Sequence, residues 1–131
     1  MTTTDRPALL SRFIEERRRM PFAWGSNDCC LFAADWVLAA TGRDIAADYR
    51  GRYTTALPAM RFVELGGGVE AMIERAGGQV VHPTMARRGD VIARDVGNGI
   101  GLGVCVGSLA AFVAENGLHF VDFPHSSCWR F

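Results

Sequence analysis

The chain has no dominant charge, no long apolar run and no paired-cysteine motif, and each absence narrows what it can be. Fourteen basic and fourteen acidic residues cancel to a formal net charge of zero, so no global field draws the protein toward nucleic acid or an anionic bilayer. Neither is expected as a partner. No apolar stretch approaches the ~20 residues that span a hydrocarbon core, so membrane insertion is not expected either. The opening residues, Met1-Thr2-Thr3-Thr4-Asp5, lack the basic segment and apolar core of a secretory signal, which makes a reducing cytoplasm the expected site of synthesis. The four cysteines at 29, 30, 105 and 128 form no Cys-x-x-Cys unit. In a reducing compartment they read as free thiols rather than a disulfide framework. A zinc or iron–sulfur centre built from them with His82, His119 or His125 is the lesser alternative, because such centres use closely paired ligands. No cofactor and no metal are expected.

What is present is a thiol where a helix begins. The segment Phe22-Ala-Trp-Gly-Ser-Asn-Asp28 leads into Cys29-Cys30 and then into Leu31-Phe-Ala-Ala-Asp-Trp-Val-Leu-Ala-Ala40, with Thr41-Gly42 as the stop. Asp35 is the only charge between residues 31 and 40, so this helix is expected to be buried nearly all round. Ser26, Asn27 or Asp28 can cap it, and with any of them Cys29 falls in the first turn while Cys30 is rotated by about 100°. Free backbone N–H groups and the positive end of the helix dipole stabilise a thiolate there, and can move a thiol from ~8.5 toward the ~3.5–7.5 range of reactive cysteines. Cys29 is therefore the candidate nucleophile and the thiol expected to face any cleft. The alternative is that both cysteines are small buried hydrophobes.

A length of 131 residues with 49% hydrophobic content fits one domain spanning 1–131, with a real core and no room for a second. Leu9, Leu10, Phe13 and Ile14 recur at helical spacing, predicting an amphipathic helix from about 6 to 19 that ends in Arg17-Arg18-Arg19. After the central helix and an Arg50-Gly-Arg-Tyr53 turn, two shorter helices are predicted over 56–65 and 69–76. Gly66-Gly67-Gly68 lies between them, and with no strand before it and no Lys-Ser/Thr after it, it reads as a helix-to-helix turn rather than a phosphate loop. Beyond Gly77-Gly78 the period becomes that of strands: 79–82, 90–94, 102–106, 110–114 and 118–123, separated by turns such as Asn98-Gly99 and Asn116-Gly117. Segments 1–20 and 22–76 are thus the helical part and 77–131 the β part. Helices followed by an antiparallel meander give an α+β domain with the central helix, 29–41, packed on a C-terminal antiparallel sheet.

These residues carry a resemblance. Asp28-Cys29 at the start of a buried helix, Thr41-Gly42-Arg43-Asp44 at its end, Arg88-Gly89-Asp90-Val91 opening a strand and Leu102-Gly103-Val104-Cys105-Val106-Gly107 on the next resemble the NlpC-type cell-wall cysteine peptidases. The Phe-x-Trp-Gly-x-x-Asp-Cys segment, the Arg-Gly-x-Tyr turn and the terminal Trp-Arg are similar to a group of small phage and prophage proteins related to that superfamily, whose genes lie among tail-assembly genes. The resemblance covers nearly the whole chain from about Phe22. It implies a circularly permuted papain-like fold with Cys29 in the nucleophile position. The family's His-x-Gly reads Gly101-Leu102-Gly103 here, and Val113-Ala114 stands near the third, orienting polar residue. Only one of three catalytic roles is filled, and His119 is the substitute base placed ahead of His82 and His125.

Two functions are therefore weighed. The first is a mainly structural tail-tip or tail-hub component docking against other phage tail proteins, made in the host cytoplasm and carried in the virion. The second is an active cysteine peptidase or amidase cutting peptidoglycan peptides. The missing imidazole favours the first. Trp129-Arg130-Phe131 and Phe22-Ala23-Trp24 are expected at a partner interface, since Trp, Phe and Arg are enriched there; the alternative, above all for Trp24, is burial in the domain's own core.

Overall fold

A computed structural model describes residues 5–97, 99–123 and 126–131. The helices are α1 (Arg6–Arg17), α2 (Cys29–Thr41), α3 (Ala56–Leu65) and α4 (Val69–Arg75), and the strands are β1 (Gln79–Val81), β2 (Val91–Asp95), β3 (Ile100–Cys105), β4 (Ala110–Ala114), β5 (Gly117–Val121) and β6 (Ser127–Arg130). Helices precede strands, and the strands form one antiparallel sheet in the order β1-β6-β2-β3-β4-β5. The α+β class with the central helix on an antiparallel sheet is as the periodicity indicates.

Each end of α2 has a local cause. Asp28 accepts from the Leu31 amide at 2.9 Å, which selects it over Ser26 and Asn27 as the N-cap. At the other end Gly42 adopts φ 80° and its N–H reaches the Leu38 carbonyl at 2.8 Å, a left-handed stop open to glycine at little steric cost. Between the caps, Leu31, Phe32, Ala33, Ala34, Trp36 and Val37 are all buried. Asp35, the lone charge of the apolar run, holds two guanidinium groups: Arg17 at 2.8 Å and Arg50 at 2.7 Å. Arg50 also binds Asp44 at 2.9 Å, so the network ties α1 and the turn after α2 to the central helix.

Register determines what each face of the sheet carries. Val91 pairs with Val104, Val104 with Ala111 and Ala111 with Phe120, and directly opposed residues share a face. This row, with Leu102 two residues along β3, covers the side packed by α1 and α2, where Leu10, Phe13, Phe32 and Trp36 meet Val104 and Ala111. The other face carries Ile92, Cys105, Ala110, Phe112 and Cys128 together with Val81 and Val121, and Ala86 and Phe123 pack against it.

The structure departs from the sequence expectations at several points. α1 stops at Arg17 rather than Arg19, and strand limits move by one or two residues, β3 beginning at Ile100. The residues 127–130, read only as an aromatic terminus, form β6 between β1 and β2. Trp129 accordingly is no partner surface: it is 1% exposed among Val37, Val91 and Leu102. Trp24, by contrast, is 39% exposed and stacked edge-on against Phe22 at 4.7 Å between centroids, so the alternative of burial in the domain's own core does not hold for it.

Candidate functional site

The candidate site is assembled where the loop 20–28 delivers its chain into α2. Asn27 donates to the carbonyls of Met20 and Pro21 at 3.2 and 2.9 Å, and Ala23 and Asn27 bridge each other's backbone. The loop is pressed onto the turn at Tyr53: a Cβ on Gly25, whose φ is 82°, would come within 2.0 Å of the Tyr53 carbonyl, so no other residue fits there. Asp28, 1% exposed, accepts from the Gly25 amide at 3.0 Å and the Tyr53 hydroxyl at 2.6 Å besides capping the helix. A buried carboxylate with three donors is a satisfied one. Burial first, and the hydrogen bond to Asp28 second, push the Tyr53 phenol far above its ordinary value. Tyr53 is therefore a fixed donor.

Cys29 and Cys30 are the first two residues of α2, both half-buried. Their thiols are driven apart. The neighbouring Cys30 thiol holds the Cys29 thiol below its ordinary value, assisted by the Leu102 backbone and opposed by burial and by Asp28. Cys29 in turn, together with burial, pushes Cys30 well above its ordinary value. The arrangement thus sets a thiol lowered below its ordinary value beside one raised above it. The cavity beside them, of about 230 Å³, is lined by Cys30, with Ala34 one turn on and Leu102 opposite. Cys30, not Cys29, faces this space, the reverse of the expectation from sequence.

The histidines are not brought to Cys29. His119 pairs with Phe112, Phe112 with Gly103 and Gly103 with Ile92, which places it on the face turned away from α2, exposed on the edge strand β5. His82 follows β1, three strands from β3 and hence about 14 Å from it at ~4.8 Å per strand; its ring is engaged by Thr84 at 2.8 Å. His125 lies outside the described residues. Gly101 also faces away from α2, in register with Arg94, and a Cβ there would meet the Val96 side chain. Position 101 therefore presents neither an imidazole nor the direction in which one would reach Cys29.

A second buried polar group lies on that far face. Asp90, 3% exposed, accepts both Arg130 Nε at 2.9 Å and Nη2 at 2.8 Å, the Arg87 amide at 2.8 Å and the Cys128 thiol at 3.7 Å. Burial and Asp90 push Cys128 up to about 12, and burial raises Cys105. These are thiols kept neutral in the core, without nucleophilic character. The backbone beside Asp90 is tied to α2, since Trp36 donates to the Gly89 carbonyl at 2.7 Å. Among the described residues no group of three or more potential metal ligands occurs, and no helix is long and apolar enough to cross a membrane.

The comparisons with known proteins bear on the chain as a whole. A family model described as "Domain of unknown function (DUF6950)" matches residues 1–131. The chain belongs to the DUF6950 family. No curated protein and no solved structure matches it. Two features of this DUF6950 domain were not visible from sequence spacing: the role of Tyr53 as donor to Asp28, and the cavity beside Cys30. The turn Arg50-Gly-Arg-Tyr53 is visible as a motif, but no local pattern says that its tyrosine reaches back 25 residues.

Proposed function

We propose that this protein is a structural component of a phage or phage-like tail tip or hub, built on an NlpC-like, papain-like peptidase fold with an incomplete catalytic site, and that it acts by docking against other tail proteins. The observation that carries this reading is the separation of Cys29 from His119 by the sheet. A cysteine peptidase needs an imidazole both to take the thiol proton and to return a proton to the leaving amine. The amino end of α2 and the Cys30 thiol supply part of the first need and none of the second. The family resemblance of Asp28-Cys29, Gly89-Asp90 and the Trp24-Gly25 segment supports the fold and the tail setting, and the exposed Trp24 offers an aromatic anchor of the kind that interfaces use.

The second reading, a peptidoglycan peptidase or amidase, is favoured by one observation, the lowered Cys29 thiol. The two readings separate in one experiment. Purified protein, alone and within assembled tails, is incubated with peptidoglycan, and new amino groups are measured. The docking reading expects none, with normal tail assembly in Cys29→Ala and failed assembly on deletion of the gene. Turnover abolished by Cys29→Ala would establish the peptidase instead.

A further inference from the structure

The cavity beside Cys30 is a half-open depression between α2, α4 and β3 with its own chemistry. Its walls come from α2 (Cys30, Ala34), from α4 (Ile73, Arg75), from β3 (Leu102) and from the turn after α2 (Asp48). The floor of Ala34, Ile73 and Leu102 is apolar and branched. The two charges are of opposite sign and stand on different walls, both exposed at the mouth. Among the described residues neither Asp48 nor Arg75 takes part in an ion pair, whereas Asp44 is held by Arg50 and Asp35 by Arg17 and Arg50. Arg43 binds the Ala76 carbonyl and so clips the turn after α2 to the end of α4, holding the two charged walls in place.

We propose that this cavity binds a free aliphatic amino acid as its zwitterion, with leucine as the chemical type: the branched side chain on the floor, the ammonium toward Asp48 and the carboxylate toward Arg75. Charge complementarity singles out this class. A peptide end offers only one of the two charges beside its side chain, whereas a free amino acid carries both on one carbon. Size agrees, since a volume of about 230 Å³ lies below the ~300–1,000 Å³ of drug-sized sites while leaving room for a side chain. Cys30 adds no third charge, because its thiol is held neutral. The inference is independent of the docking role and of Cys29.

The test is a titration of the intact protein with L-leucine, read by calorimetry and by the shift in Tm, against glycine, 4-methylpentanoate and 3-methylbutylamine, which lack respectively the side chain, the ammonium and the carboxylate. Leucine should bind saturably and each of the other three more weakly. Asp48→Asn and Arg75→Gln remove exposed side chains and leave the core untouched. Each should weaken leucine binding about two- to fivefold, the worth of one exposed ion pair. Asp48→Asn should abolish the advantage of leucine over 4-methylpentanoate, and Arg75→Gln its advantage over 3-methylbutylamine. Absence of saturable leucine binding, glycine acting as well as leucine, or unchanged affinity in both variants would overturn the assignment.

Discussion

The Tyr53 hydroxyl donates to the Asp28 carboxylate at 2.6 Å, and this one bond fastens the turn after α2 to the N-cap of α2. Both groups are buried, Tyr53 at 8% and Asp28 at 1% exposure. Removing the donor leaves a buried carboxylate short of one partner, so Tyr53→Phe should destabilise the fold by about 1–3 kcal/mol. Asp28→Ala loses the cap as well and orphans both Tyr53 and the Gly25 amide, for a combined loss of about 2–4 kcal/mol. Urea denaturation of the two variants gives the order. Equal or negligible losses would mean that the bond does not fasten the site.

The same bond has a signature in pH. The folded-state value of Tyr53 is raised, so its contribution is fully present below the unfolded value of ~10 and is lost as pH rises above it. Wild-type stability should therefore fall more steeply than that of Tyr53→Phe above about pH 10. Parallel curves for the two proteins would contradict the buried, donor-only tyrosine.

For the cysteines the expected sign differs between neighbours. Cys29 is lowered, chiefly by the Cys30 thiol, and Cys30 is raised, chiefly by Cys29. Brief alkylation near neutral pH, mapped by mass spectrometry, should label Cys29 ahead of Cys30, Cys105 and Cys128. In Cys30→Ala the midpoint of Cys29 labelling against pH should move upward, because the largest stabilising donor is gone; Cys30→Ser, which keeps a donor, should move it less. Labelling that starts at Cys30 would contradict the lowered Cys29 and raised Cys30 thiols.

Legibility from sequence followed the range of the interaction. α3 over Ala56–Leu65 and β4 over Ala110–Ala114 agree residue for residue with the expectation, because each is bounded by turn residues and has its own apolar period. β6 escaped. It has four residues, and its pairing partners are β1 and β2, some 35 to 50 residues earlier, so it has no local pattern of its own and depends on tertiary pairing. The exchange of roles between Trp24 and Trp129 has the same origin, since burial of an indole depends on which strand lies beside it. At the site, the first-turn position of Cys29 was readable from Asp28 and the apolar run behind it, and strand alternation already turned His119 from the face of Leu118 and Phe120. That α2 covers the opposite face, and that Cys30 rather than Cys29 borders a cavity, depended on packing that spacing does not encode.

On the far face, Arg130 reaches Asp90 through both Nε and Nη2, the two-pronged geometry that lysine cannot reproduce. Arg130→Met leaves the carboxylate buried without its counter-charge and should cost about 3–5 kcal/mol. Arg130→Lys keeps the charge, loses the fork and should fall between wild type and Arg130→Met in chemical denaturation. If Arg130→Met were neutral, Asp90 would have to be satisfied by the Arg87 amide and Cys128 alone.

The orientation of β3 gives the last prediction. If the proposed docking role had arisen by simple replacement of a histidine at position 101, restoring that histidine would regain a dyad, but Gly101 points to the face of Arg94 and Val96, away from α2. Gly101→His should therefore leave the pH midpoint of Cys29 labelling where it is in the wild type, and should produce no peptidase activity, since general-base transfer needs the imidazole within ~3 Å of the thiol or one water away. His119→Ala, an exposed change on the same far face, should alter stability by less than ~0.5 kcal/mol and likewise leave Cys29 unmoved. The two variants are measured together by alkylation rate against pH. A downward shift in Gly101→His would show that the strand can present an imidazole to Cys29 after all, and an upward shift in His119→Ala would mean that His119 reaches the thiol across the sheet edge; either result would restore the enzyme reading.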